Sequence, residues 1–547
     1  MKVTCYGGVR EIGGNKILLE EGGAALFLDF GLPMGRAGEF FDEFVQPRTG
    51  SHLRDSLALD LTPRLDGIYR RDLIGGPGIL DEATLPDEAA PLFDAGVRSY
   101  DDVLQQEGRA RASAVLLSHA HLDHVGQVGY LDERIALGCT PVTQTILTVM
   151  EELLPQRIDS EALTIRRRTV DTVSERSRFP GALTVKAERV SRPIVQLMEF
   201  GETTVAGFRI EALPVDHSLP GCCALLITAP SGKRALYTGD LRFNGRWSHG
   251  EGNLTERLRS RTRDMRPELL ITEGTRIRSE DADDESAVRR ELTEVAAGSP
   301  GLVIFDWAWK DIARFQTVAD VARDTGRTLA ASPKTLVLYH RLAEEHPSLF
   351  PPLASLGDVR AYLERSGSML YSPADYAQHL FKLGRKGKWT RDEREAVRRQ
   401  WAAGEHDTTA SRLMEHYYGG VRAYEVRRNP SRYILHAGFF DIQELIDLDP
   451  PAGSVYVRAA TEPFSEEMAI DEQKLRNWLS RFGLMREEEQ LRRAHISGHA
   501  SGPDLLEWIE SIKPATVLPI HTEHPEDFVG RVPGDVVLVA VGETIEV

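Results

Sequence analysis

The sequence predicts an α/β protein, on three observations. Short apolar strands recur along the chain, and several stop at a His or an Asp. Gly-rich turns join the first strands in hairpin fashion. From about residue 276 helical spacing alternates with further short strands. The 547 residues suffice for a large core without disulfide staples. The four cysteines, Cys5, Cys139, Cys222 and Cys223, form no C-x-x-C pair and fit a reducing cytosol. Met1 to Gly8 holds no apolar signal core, and no apolar run approaches the roughly 18–20 residues of a membrane helix. A cytoplasmic protein without membrane contact is therefore expected. Lys and Arg number 66 against 83 Asp and Glu, a net charge of −17, which argues against a polybasic nucleic-acid binder but permits a local basic groove.

In chain order, Lys16 to Glu20 and Ala24 to Asp29 read as strands joined at Glu21-Gly22-Gly23. Residues 35–110, with scattered Pro, Gly and charge, read as a long surface excursion with some helix. Ala114 to Leu117 reads as a buried strand that runs into Ser118-His119-Ala120-His121. Residues 204–215 and 234–238 read as two more strands, each ending at a polar cluster. Asp311 to Thr325 has helical spacing, stopped by Gly326, and Thr328 to Ala331 reads as a strand. Residues 376–418 read as charged helix, and 432–437 and 454–459 as strands. Pro514 opens a short apolar strand that ends at His521, and Val536 to Val541 reads as the last strand.

The segment His119-Ala120-His121-Leu122-Asp123-His124 packs three imidazoles and a carboxylate into six residues. Nitrogen and carboxylate ligands of this kind suit zinc, manganese or iron. A His-x-His pair at a strand end puts both rings on one side, leaving Asp123 and His124 to turn toward a second ion. A solvated loop or helix cap accounts for one such His but poorly for the whole group. Three further candidates each follow a short apolar strand: His217 in Val215-Asp216-His217, Asp240 in Thr238-Gly239-Asp240, and His521 in Pro519-Ile520-His521.

In that order, with Asp29 as an early structural Asp, these residues resemble the metallo-β-lactamase superfamily. Glu273-Gly274-Thr275, His495-Ile496-Ser497-Gly498-His499-Ala500-Ser501 and His521 resemble motifs A, B and C of its β-CASP nucleases, the ribonuclease J pattern among them. The resemblance is clear over 1–34, 114–130, 205–275, 301–331 and 454–547, and poor over 35–110 and about 340–430. It implies a four-layer αβ/βα sandwich with an inserted β-CASP domain. The implied divisions are 1–275 and 466–547 for the hydrolase domain and 276–465 for the insert.

The same resemblance implies two zinc ions, with manganese an alternative. His119, His121 and His217 would hold one ion, Asp123, His124 and His521 the other, and Asp240 would bridge them. The implied reaction is hydrolysis of RNA phosphodiesters, 5′-to-3′ exonucleolytic with endonucleolytic cuts, on single-stranded RNA. His499 is the expected general acid, since an imidazole titrates near neutrality without heavy tuning. Glu273 is expected to orient an imidazole. His495, Ser497, Gly498, His499, Ala500 and Ser501 are the expected substrate contacts, their small residues and the following helix start reading as a phosphate cradle. Lys382, Arg385, Lys386, Lys388, Arg391, Arg394, Arg398 and Arg399, interleaved with Phe381, Trp389 and Trp401, read either as a single-strand channel or as a solvated helix face.

Arg10 departs from the family's small residue, and Gly274 from the Ser usual in ribonuclease J. The chain ends soon after its last strand, so no separate C-terminal oligomerisation domain is expected and a homodimer stays open. Two alternatives remain: a small-molecule hydrolase acting on a thioester or lactone, and a non-catalytic RNA-binding subunit. The second needs degraded ligands, and all seven are intact. With this acidity, RNA contact is expected only in a groove lined by metal ions, helix starts and the 382–399 run.

Overall fold

The computed structural model contains two seven-stranded sheets and one five-stranded sheet carried between residues 303 and 458. The residues it describes are 1–42, 44–48, 52–74, 88, 90–92, 94–154, 157–172, 183–250, 252–280, 283–365, 376, 419–459, 466–485 and 491–547. The basic run 382–399, its aromatic residues and most of the expected helix 376–418 lie outside them.

The first sheet orders its strands Thr544–Glu546, Lys2–Gly7, Lys16–Glu21, Ala24–Leu28, Ala114–Leu116, Ala136–Cys139 and Ile194–Gln196. The second orders Asp535–Val536, Thr516–Pro519, Leu269–Thr272, Arg234–Tyr237, Cys223–Thr228, Phe208–Pro214 and Glu202–Val205. Side chains alternate across a strand, and here both phases are apolar. Val3, Ile17, Leu19, Leu26, Leu28 and Leu116 pack in one core with Phe208, Ile210, Leu225, Ile227, Leu269 and Ile271. The opposite phase, including Leu18, Phe27, Val115 and Leu137, joins the core that holds Ile146, Val149 and Met150 of helix Pro141–Leu153. Leu226, Leu236, Leu270 and Val517 join Leu258 and Trp508 of helices Leu254–Thr262 and Gly502–Ile512 in that core. Apolar surface on both faces of each sheet is what forces four layers, αβ/βα.

Three expectations change. Residues 204–215 are not one strand. Ala206 and Gly207 both have positive φ, 49° and 84°, and close a two-residue hairpin between Glu202–Val205 and Phe208–Pro214. The last apolar run forms ladder only at Asp535–Val536, at the edge of the second sheet, and the chain then adds Thr544–Glu546 to the edge of the first, paired with Lys2, Val3 and Thr4. Segment 35–110 is not a surface excursion. It buries Leu53, Leu57, Ile68 and Tyr69, and its Arg70, 1% exposed, pairs with Asp72 at 2.6 Å and Glu161 at 2.7 Å. Glu161, the third member of this ion trio, comes from 91 residues away, so the trio leaves no complete local pattern in sequence.

The five-stranded sheet is wholly parallel, ordered Val359–Ala361, Thr328–Ala331, Tyr433–His436, Val303–Asp306 and Val455–Arg458. Its helix Pro333–Glu345 docks on helix Pro141–Leu153 of the sandwich, with Arg341 to Glu152 at 2.9 Å and Thr145 Oγ1 donating to Glu345 at 2.5 Å. Arg314 of helix Ile312–Asp324 forks onto both oxygens of Glu285 at 2.9 and 3.0 Å and donates to the Ala494 carbonyl at 2.7 Å. These contacts set the C-terminal edge of the parallel sheet beside the 494–501 segment. Among the described residues no helix is long and apolar enough to cross a membrane.

Candidate metal centre

Four parallel strands of the sandwich deliver side chains to one edge. His119 follows Ala114–Leu116, Asp240 follows Arg234–Tyr237, Glu273 follows Leu269–Thr272 and His521 follows Thr516–Pro519. His217 arrives from the end of Phe208–Pro214. Asp123 and His124 lie on the short helix Leu122–Val125 that starts right after His121. Open α/β sheets place ligands at this end of their strands.

The seven predicted ligands converge as two groups that share Asp240: His119, His121, His217 and Asp240, then Asp123, His124, Asp240 and His521. Within each group one ligand atom per residue lies within 4.8 Å of the others. His119 Nε2 is 2.9 Å from His121 Nδ1, which is 3.1 Å from His217 Nε2. Asp240 Oδ2 lies 3.1 Å from His124 Nε2, 3.6 Å from His119 Nε2 and 3.8 Å from His217 Nε2. His521 Nε2 lies 3.3 Å from Asp123 Oδ2 and 3.5 Å from Asp240 Oδ1.

The outer nitrogen of every ring fixes which atom faces inward. His124 Nδ1–H donates to Asp29 at 2.7 Å, and His217 Nδ1–H to the Gly498 carbonyl at 2.5 Å. The Ser118 hydroxyl donates to Asp29 at 2.7 Å, so it accepts from His119 Nδ1 at 3.0 Å. By the same logic Thr275, donating to the His521 carbonyl at 3.1 Å, accepts from His521 Nδ1 at 2.8 Å. His121 Nε2 faces Ser218 Oγ at 3.3 Å. Five imidazole lone pairs therefore point into a space shared with the carboxylates of Asp123 and Asp240. Asp240 Oδ1 is buried with no hydrogen-bond donor among the described residues. An all-acceptor pocket is tenable only around cations, so this donor set fits divalent metal.

Titration follows the packing. Burial and the neighbouring rings hold His119 and His121 far below the ordinary histidine range, and burial takes His217 to about 4. Burial opposes protonation of His124 too, but Asp240, Asp123 and Asp29 outweigh it and push the ring upward. The frame beneath is tight. Asp29, at φ 52°, also accepts from Ser118 N at 2.8 Å and from the Tyr237 hydroxyl at 2.5 Å. A Cβ on Gly31 would sit 1.7 Å from the Asp123 carbonyl, so only glycine lets that loop close.

Glu273 and His499 form a pair at the rim. Glu273 Oε1 accepts from Leu241 N at 2.9 Å, and Oε2 from His499 Nδ1 at 3.0 Å. Burial lowers His499, but Glu273 and then Asp240 outweigh it and raise the imidazole to about 9. The light tuning expected of this histidine is thus replaced by a strong upward push from a buried carboxylate. The His499 ring centroid lies 5.3 Å from that of His217 and 5.4 Å from that of His521.

The segment 495–501 is less open than its composition implies. The amides of His499, Ala500 and Gly502 are used within the protein, on Ser497 Oγ, the Leu241 carbonyl and the Ser279 carbonyl. Ser501 caps the helix and also donates to Asp504 at 2.7 Å, which closes that helix start to an anion. The amides of Gly498 and Ser501 have no such partner among the described residues. His495 Nδ1 lies 3.2 Å from the Ala459 carbonyl, and its buried Nε2 has no partner. Burial and then Arg314 bring His495 to about 3, so it stays neutral.

Five contributors escaped the sequence reading. Ser118 and Tyr237 hold Asp29, and Asp216 pairs with the buried Arg242 at 3.0 Å directly before His217. Lys310, on the loop after Val303–Asp306, acts electrostatically on both His121 and Asp123. Asp216-His217 adjacency was the one visible signal. The others become meaningful only once the strands are side by side.

Comparison with known proteins agrees with this geometry. A profile of the metallo-beta-lactamase superfamily matches residues 85–304, and one of a Zn-dependent metallo-hydrolase RNA specificity domain matches 489–527. The chain is similar to Ribonuclease J of Pyrococcus abyssi, 23% identical over 352 residues, 63% of this chain and 62% of that one. It is 22% identical to Ribonuclease J of Mycolicibacterium smegmatis over 522 residues, 95% of this chain and 68% of the relative. The crystal structure of a protein of unknown function from Enterococcus faecalis V583 superposes with a TM-score of 0.64 at 21% identity, covering 100% of this chain and 99% of that one. That last likeness is one of fold.

Proposed function

The chain belongs to the metallo-β-lactamase superfamily, and from that premise we propose that it is a metal-dependent ribonuclease of the β-CASP type. It hydrolyses phosphodiesters of single-stranded RNA, from the 5′ end and also internally. The observation that carries this reading is a pair of four-donor groups sharing Asp240, with the His499–Glu273 pair at their rim. Relatives named Ribonuclease J and the RNA specificity match favour RNA over a thioester or lactone. We read residues 1–275 and 466–547 as the hydrolase domain and 276–465 as the insert.

Two divalent ions, zinc in our reading, would supply a water of lowered pKa and charge stabilisation for the phosphoryl group. His119, His121 and His217 would hold one ion. Asp123, His124 and His521 would hold the other, and Asp240 would serve both. Asp29 keeps the His124 ring turned inward. His499, kept protonated by Glu273, gives its Nε2 proton to the leaving oxygen. Glu273 itself holds the ring in place and transfers no proton.

The test uses 5′-labelled single-stranded RNA and DNA, with and without chelator. Release of mononucleotides from 5′-phosphorylated RNA, abolished by chelation, is the expected result. Inertness toward nucleic acid together with thioester turnover overturns the reading. His499→Ala is expected to keep two ions per chain by elemental analysis while losing cleavage by about 10²–10⁴-fold, the usual worth of a general acid.

A further inference from the structure

Lys310 occupies an unusual position for a cation. It follows the C-terminal end of strand Val303–Asp306 in the parallel sheet, on the loop Trp307-Ala308-Trp309-Lys310, and it lies near enough to the metal centre to act electrostatically on His121 and Asp123. Its only hydrogen-bond partner among the described residues is the Met150 sulfur at 3.9 Å, a weak acceptor. No carboxylate lies within ion-pair distance of its ammonium among those residues, although the arginines around the same sheet edge are paired. The carboxylate that acts on it electrostatically is Asp123, and Lys310 in turn acts on His121.

The loop that carries it is fixed from several sides. Trp307 stacks on His436 with centroids 3.6 Å apart, and its carbonyl lies 2.9 Å from His436 Nε2. The Trp309 carbonyl accepts from Thr335 at 2.9 Å, and Asp311 caps the next helix through Arg314 N at 2.9 Å. A half-buried cation held beside acceptors, without an anion of its own, is costly unless one arrives. A metal ion on Asp123 would take up that carboxylate's charge and leave Lys310 open to an anion from outside the chain.

We propose that Lys310 is a phosphate-binding residue, its ammonium holding an RNA phosphate at the seam between the inserted parallel sheet and the metal centre. This rests on the nuclease reading above and adds a substrate contact to it. An ammonium is a point charge that suits a phosphate oxygen without demanding a base, so the contact positions RNA independently of sequence.

The test compares Lys310→Met and Lys310→Arg with the unaltered chain. Anisotropy of a short labelled single-stranded 5′-phosphorylated RNA is measured in chelator over a salt series, and turnover is then measured with metal restored. Lys310→Met is expected to weaken binding about tenfold and to flatten the plot of log Kd against log salt by about 0.7, the share of one single-strand phosphate. In turnover its effect falls mainly on KM, and Lys310→Arg, which keeps the charge, restores Kd to within about threefold. An unchanged Kd and salt slope in Lys310→Met overturns the proposal. So does equal loss in the Met and Arg variants, which would make Lys310 a packing element. If the unaltered chain binds RNA but never cuts it, the nuclease reading fails while the salt slopes still decide Lys310. Failure of the unaltered chain to bind RNA overturns both.

Discussion

Two strand-end edges meet in this molecule, and they are furnished in opposite ways. Where the sandwich strands end, five imidazole rings and the carboxylates of Asp123 and Asp240 converge, and Asp240 Oδ1 has no hydrogen-bond partner among the described residues. Where the parallel sheet ends, the chain gathers cations, and most are satisfied from within: Arg314 by Glu285, Arg458 by Glu472 at 3.4 Å and by Asp306 at 3.9 Å. Both edges use the same architectural device, the C-terminal ends of parallel strands. The difference lies in the accounting of polar atoms. A buried edge whose hydrogen bonds close on themselves is scaffold, and one whose acceptors stay open is built to be completed from outside.

Removing the shared acceptor is the most severe way to break that contrast. Asp240→Ala takes one donor from each group, so elemental analysis is expected to show loss of both ions and kcat/KM to fall by about 10³-fold or more. Retention of two ions would show that the edge is complete without Asp240. The opposite edge is probed by Arg314→Met. That change leaves Glu285 buried and unpaired, at a cost of about 3–5 kcal/mol. Thermal denaturation is expected to show the loss, while metal content per folded chain stays at the unaltered level. Loss of metal in this variant would mean that the two edges are not separable.

The same contrast explains what the sequence disclosed. His119 to His124 announce themselves because four ligand types crowd into six positions. His217, Asp240 and His521 follow apolar strands, so the fold class and the side chains that converge at this edge were legible together. The packed part of segment 35–110 was not, because Arg70 and Glu161 lie 91 residues apart and find each other only after folding. Nor was the closing strand Thr544–Glu546, whose partner is the other end of the chain. The amides of Ala500 and Gly502 read as open because small residues permit anion approach. Their actual bonds run to Leu241 and Ser279, far away in sequence.

A milder change sharpens the contrast at the rim. Glu273→Gln keeps a side chain of the same shape but removes the charge that does most to raise His499 to about 9. The protonated ring is the competent form, so activity is lost as pH rises through its pKa. In the unaltered protein the basic limb of kcat/KM is therefore expected near pH 9. In Glu273→Gln burial is no longer outweighed by that charge, so the limb moves down by more than one pH unit, with a further loss of roughly 10–100-fold. A basic limb that stays near 9 in the variant would assign it to another group.

The smallest expected effect comes from one hydroxyl behind the ligands. Ser118 donates to Asp29 and accepts from His119 Nδ1, so it fixes two rings, one directly and one through the Asp29–His124 contact. Ser118→Ala leaves every ligand in place. It removes only the bond that selects the His119 tautomer and one of the several that hold Asp29, which keeps the Ser118 amide and the Tyr237 hydroxyl. Metal affinity is expected to fall by about tenfold, read by competition with a chromogenic chelator, and activity at saturating metal to fall less than that. A loss as large as that of Asp240→Ala would mean that the open edge depends on its supporting layer as much as on its ligands. No loss would mean that the Asp29 contacts alone are enough to aim both rings.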